Sequence, residues 1–132
     1  MKRSFVEVSF PDGKKIDAQI GEFTINTDQA IANGGDESAP EPFQLFLASI
    51  ATCAGIYALS FCQSRNIRPD GMALSMECEW DEDKKRYPKM SIDLRLPEGF
   101  DEKYREAVVR SMDLCSVKKH MMDPPEFEIT TS

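Results

Sequence analysis

A chain of 132 residues with a net charge of −7, 30% charged and 41% hydrophobic residues, is about one globular domain's worth, here residues 1–132. A core of that size needs no disulfide staples. The acidic balance argues against nucleic acid and anionic membrane surfaces as partners, because no basic stripe is present to neutralise phosphates.

The N-terminus, Met1-Lys2-Arg3-Ser4-Phe5-Val6-Glu7-Val8, has neither an apolar signal core nor a small-residue cleavage site, which argues against secretion. The cytoplasm is the expected compartment, where four cysteines stay reduced and any disulfide is transient or catalytic. Phe5 to Phe10 alternates, with Val6, Val8 and Phe10 on one face. Pro11-Asp12-Gly13 makes a turn, and Ile16, Ala18 and Ile20 alternate again, which predicts a β-hairpin. Residues 21–27 add a third short strand, and residues 28–41, with Asn33-Gly34-Gly35-Asp36 and Pro40, read as a loop.

From Pro40 or Pro42 a long helix is expected, with proline suited to its first turn and Glu41 to its positive end. The run Phe43–Cys62 matches a membrane span in length. Gln44, Ser49, Thr52, Gly55 and Ser60 interrupt it and no flanking anchors are present, so it reads as a buried core helix rather than a span. Ser64-Arg65-Asn66 ends it. Met72–Trp80 and Met90–Leu96 then alternate as a second hairpin, around a mixed-charge tip where Lys84-Lys85-Arg86 follows Asp81-Glu82-Asp83. Asp101 can cap a helix in which Tyr104, Ala107, Val108, Met112 and Cys115 keep helical spacing, and Phe127–Thr130 reads as a final strand. This order predicts an α+β fold. The long helix is apolar nearly all the way round and should be buried on most sides. One sheet cannot cover it, so a homodimer with a large apolar interface is expected; two sheets and the second helix of one chain are the alternative cover.

Chemistry concentrates at Cys53, deep in the apolar helix, and Cys115. Brought together they form a two-thiol redox pair; apart, they are small core hydrophobes. Cys62, nine residues after Cys53 and so on nearly the opposite side of the helix, and Cys78, on the apolar face of a strand, read as core. His120 is the only histidine. With Lys118 and Lys119 it complements the C-terminal dipole of the second helix. No C-x-x-C or H-x-x-x-H pair is present, so no metal site is expected. One histidine makes a serine hydrolase through Ser60 or Ser64 improbable, and Gly34-Gly35 lacks the Lys-Ser/Thr of a phosphate loop, so no cofactor is expected.

The segments Pro42-Phe43-Gln44-Leu45 to Ala51-Thr52-Cys53 and Leu114-Cys115-Ser116-Val117, with the terminal Pro124-Pro125-Glu126-Phe127-Glu128-Ile129, resemble the OsmC/Ohr family of osmotically inducible and organic hydroperoxide resistance proteins. The resemblance implies an intertwined homodimer with sites at the subunit interface. It implies Cys53 as the peroxidatic thiol and Cys115 as the resolving thiol in reduction of a small organic hydroperoxide, with an external dithiol closing the cycle. It also implies a glutamate ten residues before the reactive thiol and an N-terminal arginine. Phe43 stands at the first position, and no arginine lies between Arg3 and Arg65. Glu41, Lys14 and Lys15 are the candidates for charge support. Phe43, Phe46 and Tyr57 are candidates for an apolar substrate pocket beside Cys53. Two other readings keep the fold: a protein without efficient peroxidase activity that binds an apolar ligand at the dimer interface, and a thiol redox sensor.

Overall fold

The computed structural model describes residues 3–132, so the reading of Met1 and Lys2 lies outside the described residues. The chain forms two compact units, residues 1–48 and 49–132, with the boundary inside one continuous helix.

In the first unit, strands β1 (Val6–Ser9), β2 (Ile16–Ile20) and β3 (Phe23–Thr27) make an antiparallel sheet in the order β1-β2-β3. Register pairs Val6 with Ile20 and Ile20 with Phe23, and likewise Val8 with Ala18 and Ala18 with Ile25. Directly paired residues share a face, so these apolar side chains make one surface. Within the first unit this surface has little cover, with Val6 51% exposed and Phe23 74%.

The loop at 28–41 is ordered by polar bonds. Buried Asp28 accepts the Gln29 N–H at 2.8 Å through one carboxylate oxygen. Its other oxygen accepts the Ser38 N–H at 3.1 Å and hydroxyl at 2.6 Å. These bonds, the Ser38 hydroxyl first, hold its carboxyl at a pKa of about 2. A 3₁₀ turn covers Ile31–Asn33. Gly35 lies so close to the Gln29 backbone that a Cβ would stand 2.1 Å from the Gln29 carbonyl oxygen.

Helix α1 runs Pro42–Ser64. Proline occupies its first position, and the Gln44 side chain reaches back to accept the Glu41 N–H at 2.9 Å, as in a capping box. At its end Asn66 is left-handed (φ 55°), with Asn66 N–H bonded to Gln63 O and Ile67 N–H to Cys62 O. That pair of bonds is a Schellman stop. Arg65 lies 3.6 Å above the Phe61 ring centroid and donates to the Phe61 carbonyl at 3.2 Å.

In the second unit, β4 (Ala73–Cys78) and β5 (Met90–Arg95) form the second hairpin. Asp101 accepts the Lys103 N–H at 3.0 Å and starts a 3₁₀ turn, Glu102–Tyr104, that leads into α2 (Arg105–Met112); α3 follows at Ser116–Met122. The core joins Ala58 and Phe61 of α1 to Val108 of α2, with Leu94, Leu96, Phe100, Tyr104, Ala107 and Met112 packed around them.

Three expectations need correction. The alternative cover of the long helix, by two sheets and the second helix of one chain, is not what is seen: α1 buries Ile50, Ala54, Ala58, Phe61 and Cys62, a single stripe, and Ile56 stays 53% exposed. By length and composition α1 could cross a membrane, but its buried stripe serves the core just described. The second helix does not run on to Cys115: it stops at Met112, and Cys115 is extended (φ −49°, ψ 125°) immediately before α3. Residues 108, 112 and 115 keep helical spacing, and Val108 and Cys115 are both buried, so periodicity concealed the break. Phe127–Thr130 forms no strand: the segment is irregular and exposed, because alternation makes a strand only where an edge pairs with it.

Candidate functional site

The packing of α2 on α1 sets the site. The Ser111 hydroxyl donates to the Tyr57 carbonyl of α1 at 3.1 Å, one turn before Cys115. This brings Cys53, half-buried, beside Cys115, which is buried; both thiols are free. The break before α3 is what makes the pair asymmetric. Cys115 sits at the cap position, so the first amides of α3 open toward the sulfurs.

Burial alone pushes the Cys53 pKa up. Hydrogen bonding from the Cys115 thiol and from the Val117 and Ser116 backbone N–H groups outweighs it, and the net shift is down. Cys115 goes the other way. Burial and its bond to Cys53 push its pKa up, and the neighbouring Lys118 and Val117 amides offset only part of that. One sulfur is therefore biased toward thiolate while its neighbour keeps its proton. That is the arrangement in which one thiol attacks and the other remains to condense with it. Cys62 is fully buried, and burial raises its pKa despite Arg65 nearby. Cys78 is half-buried on β4.

Beside Cys115 opens a cavity of about 580 Å³, walled by Met90, Met112, Met121 and Met122, with Arg86 and Lys118 among its polar lining. Ile50 and Ala54, on either side of Cys53 in α1, also line it. Its size and apolar walls suit a small organic molecule. A smaller hollow of about 210 Å³ on the hairpin is lined by Glu77, Glu79, Lys89 and Ser91 and contains neither thiol of the pair.

Of the other candidate residues, Tyr57 is half-buried and does not line the cavity. Phe43 and Phe46 begin α1 in the first unit, with ring centroids 5.3 Å apart. Glu41 is occupied there, accepting the Ala30 N–H at 2.9 Å and the Asn33 amide at 3.4 Å. Lys15 pairs with Asp12 and Asp36 at 3.4 and 3.5 Å, and Lys14 is exposed. His120 and Lys119 end α3 rather than the helix before Cys115, and His120 Nδ1 lies 2.7 Å from the Ser116 carbonyl. The groups that sequence reasoning missed are the Ser116 and Val117 amides and the methionine wall. Basic Lys118-Lys119-His120 suits the end of a short helix starting at Ser116, and that is the one signal that could have placed the amides.

The OsmC-like protein family model matches residues 34–130. No curated protein matches the sequence. Among solved structures, the chain is similar to an osmotic stress induced and detoxification response protein of Psychrobacter arcticus 273-4 (TM-score 0.76, 19% identity, 90% of this chain and 88% of that one). It is also similar to an OsmC like protein of Mycoplasma pneumoniae (TM-score 0.72, 12% identity, 93% and 89%). A third is the organic hydroperoxide resistance protein OsmC of Legionella pneumophila (TM-score 0.61, 16% identity, 92% and 90%). At these identities the likeness establishes the α+β fold.

Proposed function

This chain belongs to the OsmC-like protein family, and from that premise we propose that it reduces organic hydroperoxides with Cys53 as nucleophile and Cys115 as resolving thiol. The observation that carries the reading is the opposite bias of two neighbouring free thiols. The Cys53 thiolate attacks the terminal peroxide oxygen, the O–O bond breaks, and the alkoxide leaves as an alcohol after taking a proton. Cys53 becomes a sulfenic acid. The Cys115 sulfur then attacks it, water departs, and a disulfide remains; an external dithiol reduces this by exchange. The methionine-walled cavity supports an apolar substrate, and the name of the Legionella pneumophila neighbour is consistent with one. The same cavity favours the second reading, reversible binding of an apolar ligand without turnover.

The working form is a cytoplasmic homodimer. Free thiols suit a reducing compartment. The open apolar face of β1–β3, the outer side of α1 at Ile56, and Phe127 and Ile129 of the tail, 84% and 93% exposed, are surfaces that a second copy would cover. A monomer by sedimentation equilibrium at micromolar concentration would rule the dimer out.

The activity is tested by single turnover. Reduced protein receives one equivalent of cumene hydroperoxide or of hydrogen peroxide, and alkylation with mass spectrometry maps the products. A Cys53–Cys115 disulfide forming rapidly, and faster with the organic peroxide, is expected. Thiols that stay free for many minutes would reject the peroxidase reading in favour of ligand binding.

A further inference from the structure

The methionine wall is more than apolar surface. Four of the chain's seven methionines, Met90, Met112, Met121 and Met122, share a cavity with Cys115, and Cys53 is the thiol neighbour of Cys115. Soft thiolate and thioether sulfurs suit monovalent copper, whereas hard ions prefer oxygen; Zn²⁺ also takes thiolate but is held in closed sites by four ligands, more than two thiols supply. Among the described residues no group of three or more His, Cys, Asp or Glu side chains could hold such an ion. We propose that the reduced Cys53–Cys115 pair binds one Cu(I) ion, with a thioether from the methionine wall as a further ligand.

Charge favours the site. Two thiols lose their protons as two Cu–S bonds form, with no electron transferred, and the resulting bis-thiolate complex carries one negative charge. Arg86 and Lys118 line the cavity beside it. Lys118 is shared with Asp113, while Arg86 makes no ion pair among the described residues. Met121 and Met122 are 39% and 77% exposed, so part of the methionine wall is within reach of a thiol-bound copper donor. Sulfur ligands of this kind would also make loading fall as pH falls, because protons compete for the thiolates.

The inference rests on the pairing of the two thiols and not on peroxide chemistry. The full chain, reduced and free of oxygen, is titrated against Cu(I) held by bicinchoninate, with near-ultraviolet absorption reporting sulfur-to-copper charge transfer. One equivalent should leave the chelator, and Zn²⁺ offered alone should not displace it. Cys53→Ser and Cys115→Ser should each weaken binding at least tenfold. Met112→Leu and Met121→Leu, which conserve volume, should together weaken it several-fold; an unchanged affinity would overturn the thioether ligand. Failure of copper to transfer, or equal transfer to the Cys53→Ser/Cys115→Ser double variant, would overturn the site. A protein that forms the disulfide with peroxide yet takes no copper would sink this inference alone. One that takes copper but ignores peroxide would sink only the catalytic reading.

Discussion

Val108 is the side chain on which the second unit's packing converges. It is fully buried between Ala58 and Phe61, with Tyr104 and Leu94 against the same cluster. Val108→Ala removes two methyl groups, worth roughly 1.6 kcal/mol at about 0.8 kcal/mol per buried carbon. Incomplete collapse around the gap adds to this, for about 2 kcal/mol in all. Urea unfolding followed by far-ultraviolet circular dichroism, at fixed protein concentration, should then show a midpoint lower by about 1 M with an unchanged slope. The adjacent Val109 is the control. It is 55% exposed, and Val109→Ala should stay within about 0.5 kcal/mol of the parent. A Val108→Ala loss below about 0.5 kcal/mol, or an equal loss at Val109, would refute the packing argument.

Gly35→Ala should destabilise the first unit by about 1–3 kcal/mol, since the new methyl meets backbone rather than a movable side chain; hydrogen exchange at residues 28–41 that stays as slow as in the parent would contradict this. Asp28 gives a pH test. Its folded pKa of about 2 lies below the ordinary carboxylate value, so its contribution is fully present above roughly pH 4 and is lost as pH falls through 2. Asp28→Asn should remove that part of the acid slope, and an identical slope would count against the Ser38 and Gln29 bonds as its cause. For the thiols, iodoacetamide alkylation read by mass spectrometry should show Cys53 titrating at lower pH than Cys115, and Cys115→Ala should move the Cys53 midpoint upward by removing its thiol donor. A Cys53 midpoint that stays put or falls would refute that assignment.

Local rules made much of the fold legible. Alternation located both hairpins because paired strands need only a period of two and a turn, and Pro11-Asp12-Gly13 supplied the first turn. Proline at the start and Asn66 at the stop bounded α1 for equally local reasons. What stayed hidden depends on contacts distant in sequence. Cys115 keeps helical spacing with Val108 and Met112 whether or not the chain breaks at Asp113, so periodicity could not report the break. Phe127–Ile129 alternates like a strand, but pairing needs an edge that the sequence pattern does not specify. The apolar breadth of α1 and the shortfall of cover from one sheet were visible, whereas which residues form its buried stripe was not.

The break at Cys115 also resolves the difficulty raised by Phe43. With Glu41 committed to Ala30 and Asn33, and Lys15 to Asp12 and Asp36, those two charged candidates already have partners. A buried thiol with no cation would be held protonated by desolvation. The neighbouring Cys115 thiol and two backbone amides reverse that bias without a net charge, and amides do not titrate. The downward shift of the Cys53 pKa is therefore tied first to the Cys115 thiol and then to the first amides of α3. A single helix running unbroken through Cys115 would bond those amides to its own carbonyls and take them away from the sulfur. Asp113, Leu114 and Cys115 keep backbone bonds through the interruption, and the Ser116 and Val117 N–H groups are the donors it leaves facing the Cys53 sulfur.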